Sequence, residues 1–401
     1  MLIIYITDSP NRVLSVSAAS SAAHCRLPLI RQGGAAMAHA EKKKKPLPIR
    51  ILIGILIAVG IVFAAAAGFI AYLSVTEYYP QEQTEVLPVG KGTHRLNEGD
   101  SFTVMSWNIG YGALGDNADF FMDGGESVKT ADSARVEENM KGIMSEIDSV
   151  QADAIFLQET DRDSDRSSHL NEAQLLSSHL PDHESTFASN FKVPFVPYPL
   201  PPIGKVDSGI QILSAFPSYE SYRVPLPCPF NWPIRVANLK RCLLVNRIHL
   251  DNSDHDLVLV NLHLEAYDSG EGKIEQTKQL VDFLESEYAA GNYVIAGGDF
   301  NQSFSNIDTS RYPLTEGLWQ CGEFDTSVLS SGWQCVMDNS VPTCRSLDKP
   351  YVDADKNNFQ YYLIDGFIVS PNVNVTAVRT KDLGFKNSDH NPVVIRVTLE
   401  E

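Results

Sequence analysis

The chain has 401 residues, of which 43% are apolar and 20% are charged, so its composition is that of a globular protein and excludes a wholly disordered chain. No sequence period recurs, which excludes collagen, coiled-coil and repeat architectures. Residues 75–401 contain 24 basic and 48 acidic residues, a balance of −24, and a body this acidic is expected to recruit divalent cations rather than to bind nucleic acids in general.

The first predicted element is an uncharged apolar run from Ile51 to Leu73. Its 23 residues are sufficient to cross a hydrocarbon core of about 30 Å as a helix. The basic residues Lys42–Lys45 and Arg50 precede the run, and acidic residues follow it. The positive-inside rule therefore predicts a cytoplasmic tail over 1–50, a single-pass transmembrane helix over 51–74 in the cell membrane, and an extracytoplasmic remainder.

Two alternatives for the apolar run and one question about the start of the chain stay open. The run could be a buried core helix, or a cleaved signal peptide, for which Ala64–Ala67 offers a patch of small residues although the run is longer than such segments usually are. Residues 1–36 show no clean periodicity, and Met37 begins the sequence MAHAEKKKK. We therefore predict that Met37 is the native start; otherwise residues 1–36 extend the cytoplasmic tail.

The rest of the chain is predicted to be a polar linker over 75–100 and one domain over 101–401. Two segments of this domain, Ala134–Val150 and Ile274–Tyr288, have helical period, and the five prolines of Phe191–Pro202 predict an extended loop. Many strands with few helices between them predict an α+β fold with two packed sheets and helices outside, in a strand order that does not follow from the sequence. The strand-like apolar runs are Phe102–Trp107, Ala154–Leu157, Gly209–Leu213, Cys242–Ile248, Leu257–Leu262, Tyr293–Ala296, Tyr362–Val369 and Val393–Val397.

Five cysteines follow the apolar run, and this odd number predicts that at least one thiol is free or pairs between chains. Outside the cell, Cys228 could pair with Cys242, and two of the other three could pair with each other. No Cys-x-x-Cys spacing occurs, so a structural zinc site is not predicted. The other three are Cys321, Cys335 and Cys344.

Polar residues stand where the apolar strands end, and strand ends that lead into loops are where such scaffolds present catalytic groups. Taken singly, a strand-end Glu is usually solvated, a lone His is usually structural, and Gly-Asp-Phe-Asn favours turns. An Asp inside an apolar strand needs a partner if it is buried. Together, these acids, histidines and amides predict a metal-assisted hydrolase. They are Asn108, Gln158, Glu159, His263, Asp299, Asn301, Asp365, Asp389 and His390.

The order of the motifs WN, QE, NLH, GDFN, IDGFIVS and SDH resembles the endonuclease/exonuclease/phosphatase superfamily, which includes deoxyribonuclease I-like nucleases, apurinic endonucleases, neutral sphingomyelinases and inositol polyphosphate 5-phosphatases. The resemblance covers about residues 100–400, and GDFN and SDHNPV are its most specific parts. It implies a four-layer α/β/β/α sandwich, with the site at one edge of the paired sheets and the two helical segments in the outer layers.

The resemblance also implies which residues bind metal and activate water. Glu159 matches the principal metal ligand, with Asn108 beside it and Asp389 as a further candidate, and the expected ion is Mg²⁺ or alternatively Mn²⁺. Asp299 matches the residue that orients or deprotonates the attacking water. Asn301 would donate to the phosphate or to the developing charge.

The two histidines have different implied roles. His390 matches the histidine that contacts the scissile phosphate, and Asp365 or Asp389 would orient it. His263 matches a second histidine of the deoxyribonuclease-like and sphingomyelinase-like branches, where it would act as a general acid. The apurinic branch lacks this histidine, so its presence here disfavours abasic-site repair.

The residues around the site leave the substrate open. A nuclease needs a basic groove, and the nearest approach to one is Arg235 with Lys240 and Arg241. Asp161, Asp163, Asp165 and Arg166 follow Glu159 and either help to shape the pocket or form a solvated loop, and the solvated loop is the favoured interpretation. A lipid phosphodiesterase needs an exposed apolar loop, and the proline-rich stretch either supplies it or is packed linker. Its apolar residues are Phe195, Val196, Tyr198, Leu200 and Ile203.

The sequence therefore predicts a membrane-anchored, Mg²⁺-dependent phosphoester hydrolase that acts outside the cytoplasm. Its substrate would be a lipid head group, a small phosphoester or a nucleic acid, and no obligate protein partner is inferred. One alternative is an extracellular nuclease of the deoxyribonuclease I-like type. The other is a non-catalytic metal- or phosphate-binding module on the same fold.

Overall fold

The computed structural model describes residues 47–268 and 270–400, which fall into two units that meet in sequence between Phe69 and Ile70. The predicted cytoplasmic tail up to residue 46, with Met37 as its start, lies outside the described residues. The described chain begins with an apolar helix, α1 (Leu47–Val75). Its segment Pro48–Val75 is long and apolar enough to cross a membrane, by length and composition.

The larger unit is built from short and medium strands with three helices. The helices are α2 (Ser133–Val150), α3 (Glu172–His179) and α4 (Glu271–Ala289). The strands are β1 (Thr84–Glu85), β2 (Ser101–Asn108), β3 (Ala154–Asp161), β4 (Glu184–Val196), β5 (Gly204–Ser214), β6 (Glu220–Pro225), β7 (Cys242–His249), β8 (Asp256–His263), β9 (Tyr293–Asp299), β10 (Gln302–Phe304), β11 (Gly322–Phe324), β12 (Gln334–Val336), β13 (Cys344–Arg345), β14 (Tyr361–Tyr362), β15 (Asp365–Val369), β16 (Val373–Thr380) and β17 (Val393–Leu399).

Two large sheets organise these strands. The first has seven strands in the order β1-β6-β7-β8-β9-β15-β12, and the second has six in the order β16-β17-β2-β3-β5-β4. Parallel pairing joins β8 to β9 and β2 to β3, whereas the other neighbours within these two sheets are antiparallel. Both sheets are therefore mixed, and the loops that leave their carboxyl ends bring together segments far apart in the chain.

The apolar side chains form three layers of core, and these confirm the predicted α/β/β/α sandwich. Between the sheets, Val104, Phe156 and Ile212 of one sheet pack against residues such as Leu244 and Phe367 of the other. On the outer face of the six-stranded sheet, the apolar stripes of α2 and α3 cover Met105 and Trp107. On the outer face of the seven-stranded sheet, α4 is buried through Leu280, Val281 and Leu284. Apolar residues on both faces of each sheet explain why most strands appear in the sequence as continuous apolar runs.

One prediction was wrong and two elements differ from expectation. The extended loop predicted for Phe191–Pro202 begins only after Val196, because β4 continues through Pro194. Proline is tolerated there because β4 is an edge strand and its register shifts in this region. The predicted run Tyr362–Val369 is split between two sheets, and the predicted linker contains β1, which pairs with β6. The five cysteines of this unit are free thiols.

Candidate active site

Three of the predicted site residues stand side by side on neighbouring strands of the seven-stranded sheet. His263 ends β8 and is paired with Asp299, which ends the parallel strand β9. Asp365 begins β15 and is paired with Asp299 from the other side. Residues paired across strands project from the same face of a sheet, so these three buried side chains share one face at one edge.

The six-stranded sheet brings two more residues to this edge. β2 ends at Asn108, whose partner in β3 is Gln158. The register of β3 against β5 shifts at this point, and Glu159 has a positive φ of 54°. Such a bulge re-aims side chains. Here Glu159 faces the Asn108 amide, while Gln158 donates across to Asn261 of the other sheet at 2.7 Å.

The carboxylate of Asp299 contacts side chains from both sheets. Its Oδ2 accepts a hydrogen bond from Asn108 Nδ2 at 3.0 Å, and the same amide lies 3.3 Å from Glu159 Oε1. Oδ2 also lies 3.4 Å from His263 Nε2 and 3.8 Å from His390 Nε2. The structure thus brings these five predicted residues into one cluster, although they are spread over almost the whole of the domain sequence.

His390 is held by its other ring nitrogen. Its Nδ1 lies 2.8 Å from Asp365 Oδ2, and its carbonyl oxygen accepts a hydrogen bond from Trp107 Nε1. Burial alone would lower the pKa of His390, but the charge of Asp365, with contributions from Cys344 and Asp389, raises it well above the usual value. The imidazolium form of His390 is therefore favoured at neutral pH. Asp365, rather than Asp389, is the carboxylate that contacts Nδ1.

His263 has the opposite electrostatic environment. Burial, followed by the charges of Arg241, His390 and Arg166, lowers the pKa of His263 well below its usual value. Its Nδ1 has no hydrogen-bond partner among the described residues. The neutral imidazole is therefore favoured at His263, and no carboxylate orients it as Asp365 orients His390.

Asn301 and Asp389 complete the set of predicted residues. Asn301 follows β9 with a positive φ of 51°, its backbone N–H donates to Asp299 Oδ1, and its Nδ2 donates to the carbonyl oxygen of Leu264 at 2.9 Å. An amide group has two hydrogens, so one donor of Asn301 remains for a ligand. Asp389 Oδ2 lies 4.0 Å from His390 Nε2 at the edge of the same cluster.

The donor set suits a hard divalent cation. The ligand atoms of Asp299, Asp365 and His390 lie within 4.8 Å of one another, and so do those of Cys344, Asp389 and His390. Asp365 Oδ1 is buried and has no hydrogen-bond partner among the described residues. Burial raises the pKa of Asp389 to about 7, and the charge of Glu159 adds to this effect. Carboxylates that repel one another and a buried oxygen without a donor are features that a bound cation relieves.

Glu159, the predicted principal metal ligand, belongs to neither of these two groups and instead faces Asn108. The Oδ1 atom of Asn108 accepts a hydrogen bond from the backbone N–H of Gly110 at 3.0 Å. Glu159, Asn108 and Asp389 therefore lie around one acidic site, and their role as the metal ligands stays a prediction.

A second polar cluster beside Glu159 was not predicted. Arg166 donates to both carboxylate oxygens of Asp161, at 3.1 and 2.9 Å, and stacks its guanidinium 3.7 Å from the centre of the Tyr111 ring. Asp161 is fully buried, so the interpretation of Asp161 and Arg166 as part of a solvated loop was wrong. Tyr111 follows the strand end of β2 by three residues, which is the signal that could have identified it.

Asp123 and Tyr267 form a third pair near the site. The Tyr267 hydroxyl donates to Asp123 Oδ1 at 2.9 Å. Burial raises the pKa of Asp123 to about 6. The charge of Glu159 adds to this rise, whereas the charge of His390 opposes it. Asp123 lies in the connection that follows β2, which ends at Asn108, and Tyr267 lies in the loop that follows β8, which ends at His263. A search for polar residues in the loops after these strands, and not only at the strand ends, would have found both.

Comparisons with known proteins agree with this architecture. The chain matches the model of the Endonuclease/Exonuclease/phosphatase family over residues 105–390. No curated protein sequence matches the chain. Among solved structures, an endonuclease/exonuclease/phosphatase protein from Beutenbergia cavernae DSM 12333 is similar with a TM-score of 0.50 and 19% identity, over 75% of this chain and 72% of that one.

Two further structures are similar at lower scores. Truncated TDP2 from Caenorhabditis elegans has a TM-score of 0.46 and 15% identity, over 75% of this chain and 98% of that one. The human Nocturnin catalytic domain with bound sulfate anion has a TM-score of 0.46 and 17% identity, over 78% of this chain and 97% of that one.

The Beutenbergia cavernae structure supports the fold alone, because its identity to this chain is low. The family model, in contrast, spans the strand ends from β2 to the segment before β17, and it ends at His390. Phosphoester hydrolysis is the reaction usual for proteins of this kind, and the acidic and histidine groups here are able to bind a metal ion. On its fold, its motifs and the extent of this match, the chain belongs to the endonuclease/exonuclease/phosphatase family.

Proposed function

We propose that the chain is a membrane-anchored, Mg²⁺-dependent phosphoester hydrolase, a phosphodiesterase or a phosphatase, that acts outside the cytoplasm. The observation that carries this proposal is the position of Asp299 Oδ2, which lies 3.0 Å from Asn108 Nδ2, 3.4 Å from His263 Nε2 and 3.8 Å from His390 Nε2. A phosphoester in this space meets a base, hydrogen-bond donors and carboxylates that suit a cation, which together are what the reaction requires.

Asp299 is the proposed group that orients or deprotonates the attacking water. Burial and the neighbouring charge of Asp365 raise the pKa of Asp299 to about 6. A carboxylate with this pKa is ionised at neutral pH and accepts a proton more readily than an exposed aspartate does. Its second oxygen is fixed by the backbone N–H of Asn301, so the direction of the free lone pairs is set.

His390 and Asn301 are the proposed donors to the phosphoryl oxygens. His390, kept cationic through Asp365, donates from Nε2, and Asn301 donates from its remaining amide hydrogen. Mg²⁺ held by Glu159, Asn108 and Asp389 would polarise the phosphoryl group and neutralise developing negative charge. His263 is the proposed general acid for the leaving oxygen. Because burial lowers its pKa, this role requires it to gain a proton first, and Asp299 Oδ2, 3.4 Å from His263 Nε2, would pass on the proton that it takes from the attacking water.

Two properties outside the site support the location and narrow the substrate. The apolar segment Pro48–Val75 is suited to crossing a membrane, and the basic residues before it favour a cytoplasmic N-terminus. The balance of −24 over residues 75–401 disfavours a polyanion as substrate. A lipid head group or a small phosphoester is therefore favoured over nucleic acid.

The test is a substrate panel with the full-length protein in detergent. Sphingomyelin, inositol phosphates, bis(p-nitrophenyl) phosphate, RNA and plasmid DNA are each assayed with Mg²⁺ and with EDTA. We expect turnover of at least one non-polymeric phosphoester that EDTA abolishes and that Asp299→Ala lowers by more than about 10²-fold. The exposed residue Asp254 lies in the turn between β7 and β8, away from the site, and Asp254→Ala is the matched control.

Four results would contradict the proposal or a part of it. Absence of turnover on every substrate, together with no metal binding, would favour a non-catalytic module. A kcat for Asp299→Ala within tenfold of the wild type would refute the assignment of the site. Turnover of DNA alone would favour the extracellular nuclease, and protection of the domain from protease added to intact cells would reverse the proposed topology.

A further inference from the structure

Residues at the end of α1 and just after it contact the loop that joins β6 to β7. Glu77 accepts two hydrogen bonds from Arg235, at 2.9 and 3.1 Å, and its carboxylate lies 3.4 Å from Lys240 Nζ. The ring of Tyr79 lies 4.6 Å from the guanidinium of Arg235. Ser74, in the last turn of the helix, accepts a hydrogen bond from Trp232 Nε1 at 3.0 Å. We call these contacts of Ser74, Glu77 and Tyr79 the juxtamembrane clamp.

The loop held by this clamp leaves the sheet at the active-site edge. It spans residues 226–241 and joins β6 to β7, which are paired at Pro225 and Cys242. The next residue of β7, Leu243, is paired with Leu262, the neighbour of His263. Within the loop, Arg241 Nε lies 3.8 Å from Glu265 Oε2, two residues beyond His263. The end of α1 and the catalytic cluster are therefore connected to the same edge of one sheet.

Exposed apolar side chains project from this edge. In the clamped loop, Trp232 is 60% exposed and Ile234 is 48% exposed. In the tip between β4 and β5, Leu200 is 88% exposed and Tyr198 is 44% exposed. We call these four residues the apolar rim. The tip of the proline-rich stretch is therefore an exposed apolar loop and not packed linker, whereas Val196 is buried in β4.

The β4–β5 tip belongs to the same edge as the clamped loop. β5 is paired with β3 at Ser208 and Asp161, so the residues before Ser208 extend beyond the end of β3 that carries Glu159. The Tyr198 ring lies 5.7 Å from that of Phe121, in the loop that also holds Asp123. The clamped loop also contacts β4, the strand that leads into this tip, since the backbone N–H of Lys240 donates to the carbonyl oxygen of Asn190 in β4 at 2.6 Å.

We propose that the apolar rim lies in the interfacial layer of the bilayer that α1 crosses, and that the site therefore hydrolyses phosphoesters carried by lipids of that membrane. This inference rests on the proposed function, because it presupposes both the anchor and the chemistry. The chain would leave the bilayer near residue 75, and Trp232 would then lie at the membrane surface because its Nε1 is hydrogen-bonded to Ser74. Tryptophan and tyrosine suit the interface, because they combine an apolar ring with a polar tip.

The charges in the clamp do not oppose this contact. Glu77 offsets one of the two positive charges of Arg235 and Lys240, so these groups near the helix end carry no excess of acid. The bulk of the domain is acidic, and an unclamped domain would be repelled by anionic lipids. The clamp thus holds one edge against the bilayer, and this edge is the one that contains Asp299 and His390.

The first experiment measures membrane contact without relying on activity. The full-length protein is placed in phosphatidylcholine nanodiscs whose acyl chains are brominated at shallow positions, and tryptophan fluorescence is recorded. We expect bromine quenching of the wild type and a clear loss of the quenched fraction in Trp232→Phe. Equal quenching of the wild type and Trp232→Phe would overturn the proposed contact. Trp333→Phe, on the outer side of the seven-stranded sheet near Tyr288, is the matched control and should retain the bromine quenching seen in the wild type.

The second experiment compares two substrates in the same vesicles. The rate on sphingomyelin embedded in phosphatidylcholine vesicles is divided by the rate on soluble bis(p-nitrophenyl) phosphate. We expect Leu200→Glu and Ile234→Glu each to lower this ratio by about tenfold or more, because a charge replaces an apolar side chain at the interface. Leu87→Glu, at a site that is 75% exposed and beyond the opposite end of β6, should leave the ratio unchanged.

The clamp has its own test in the same assay. Glu77→Gln weakens the contacts with Arg235 and Lys240 and should lower the ratio, whereas Glu82→Gln, at an exposed position of the same segment, should not. Equal ratios in the wild type and in all rim and clamp variants would overturn the inference while leaving the proposed function intact. Absence of Mg²⁺-dependent turnover of every substrate in the panel by the wild type, with no metal binding, would instead refute the proposed function, and the quenching result would still decide the membrane contact.

Discussion

The imidazole of His390 and the carboxylate of Asp365 lie 2.8 Å apart between Nδ1 and Oδ2, and both side chains are buried. The two residues are 25 positions apart in the chain and come from the segment before β17 and the start of β15. Asp365 therefore controls both the orientation and the charge of the histidine. Burial makes the largest contribution to the raised pKa of Asp299, and the charge of Asp365 makes the next. Asp365 therefore acts on both the proposed base, Asp299, and the proposed donor, His390.

Replacement of Asp365 by Asn is expected to lower kcat by about 10- to 100-fold, as loss of an orienting carboxylate typically does. The substitution also removes the charge that raises the pKa of His390, so the imidazolium should deprotonate at a lower pH than in the wild type. The pH profile of kcat and an NMR titration of the His390 ring measure the two effects. Asp254→Asn is the control, and an unchanged titration of His390 in Asp365→Asn would contradict this account.

Addition of Mg²⁺ is expected to raise the Tm of the full-length protein in detergent, because a ligand that binds only the folded state stabilises it by mass action. The acidic cluster of Glu159, Asp299 and Asp389 should provide this stabilisation by relieving repulsion between buried carboxylates. Glu159→Gln should reduce the Mg²⁺-dependent rise in Tm, whereas Asp254→Asn should preserve it. The same rise in both variants would place the metal elsewhere.

Arg166→Lys is expected to destabilise the domain by about 2–4 kcal/mol, because lysine cannot form the two-pronged contact with buried Asp161 or stack on Tyr111. Urea unfolding followed by tryptophan fluorescence measures the change. Arg162→Lys is the matched control: the Arg162 side chain is 40% exposed and 3.7 Å from Asp207, so its replacement should cost less than about 1 kcal/mol. Equal costs for the two variants would show that burial of Arg166 is energetically unimportant.

Gly298→Ala is expected to destabilise the protein by more than about 2 kcal/mol and to reduce activity. Gly298 has a φ of +150°, and a Cβ at this position would lie 2.0 Å from the carbonyl oxygen of Leu262, so β8 and β9 would have to separate beside His263 and Asp299. Gly384→Ala is the control, since Gly384 has a φ of +60° but open space around it, and it should show only the smaller cost of the backbone conformation. Similar unfolding free energies for the two variants would contradict the predicted clash.

Much of the local structure could be predicted because its signals are local. The helix predicted over Ala134–Val150 is α2, which begins one residue earlier, and seven of the eight predicted strands correspond to single strands of the two sheets, the exception being Tyr362–Val369. Apolar periodicity identifies such elements because each must bury a face or a stripe. The strand-end rule also drew attention to residues that the structure brings together, such as Asn108, Asp299 and His390.

The failures have a common physical cause, which is that the deciding partner is distant in the chain. Pro194 is accommodated in β4 because that strand is at the edge of its sheet, and edge position is a property of strand order. Arg166 is buried because Tyr111 and Asp161 surround it, although residues 161–166 are as polar as a solvated loop. Asp123 is paired with Tyr267, which lies 144 positions away in the chain.

By itself, the sequence determined the apolar helix, the strands, the acidic character of the domain and the family to which the chain belongs, because these depend on composition, periodicity and short motifs. Only the tertiary structure decided that His263, Asp299 and Asp365 share one row, that the pKa of His390 is raised whereas the pKa of His263 is lowered, and that the loop carrying Trp232 adjoins the site. Pairing between strands and burial set these properties, and both arise from contacts between residues far apart in the chain.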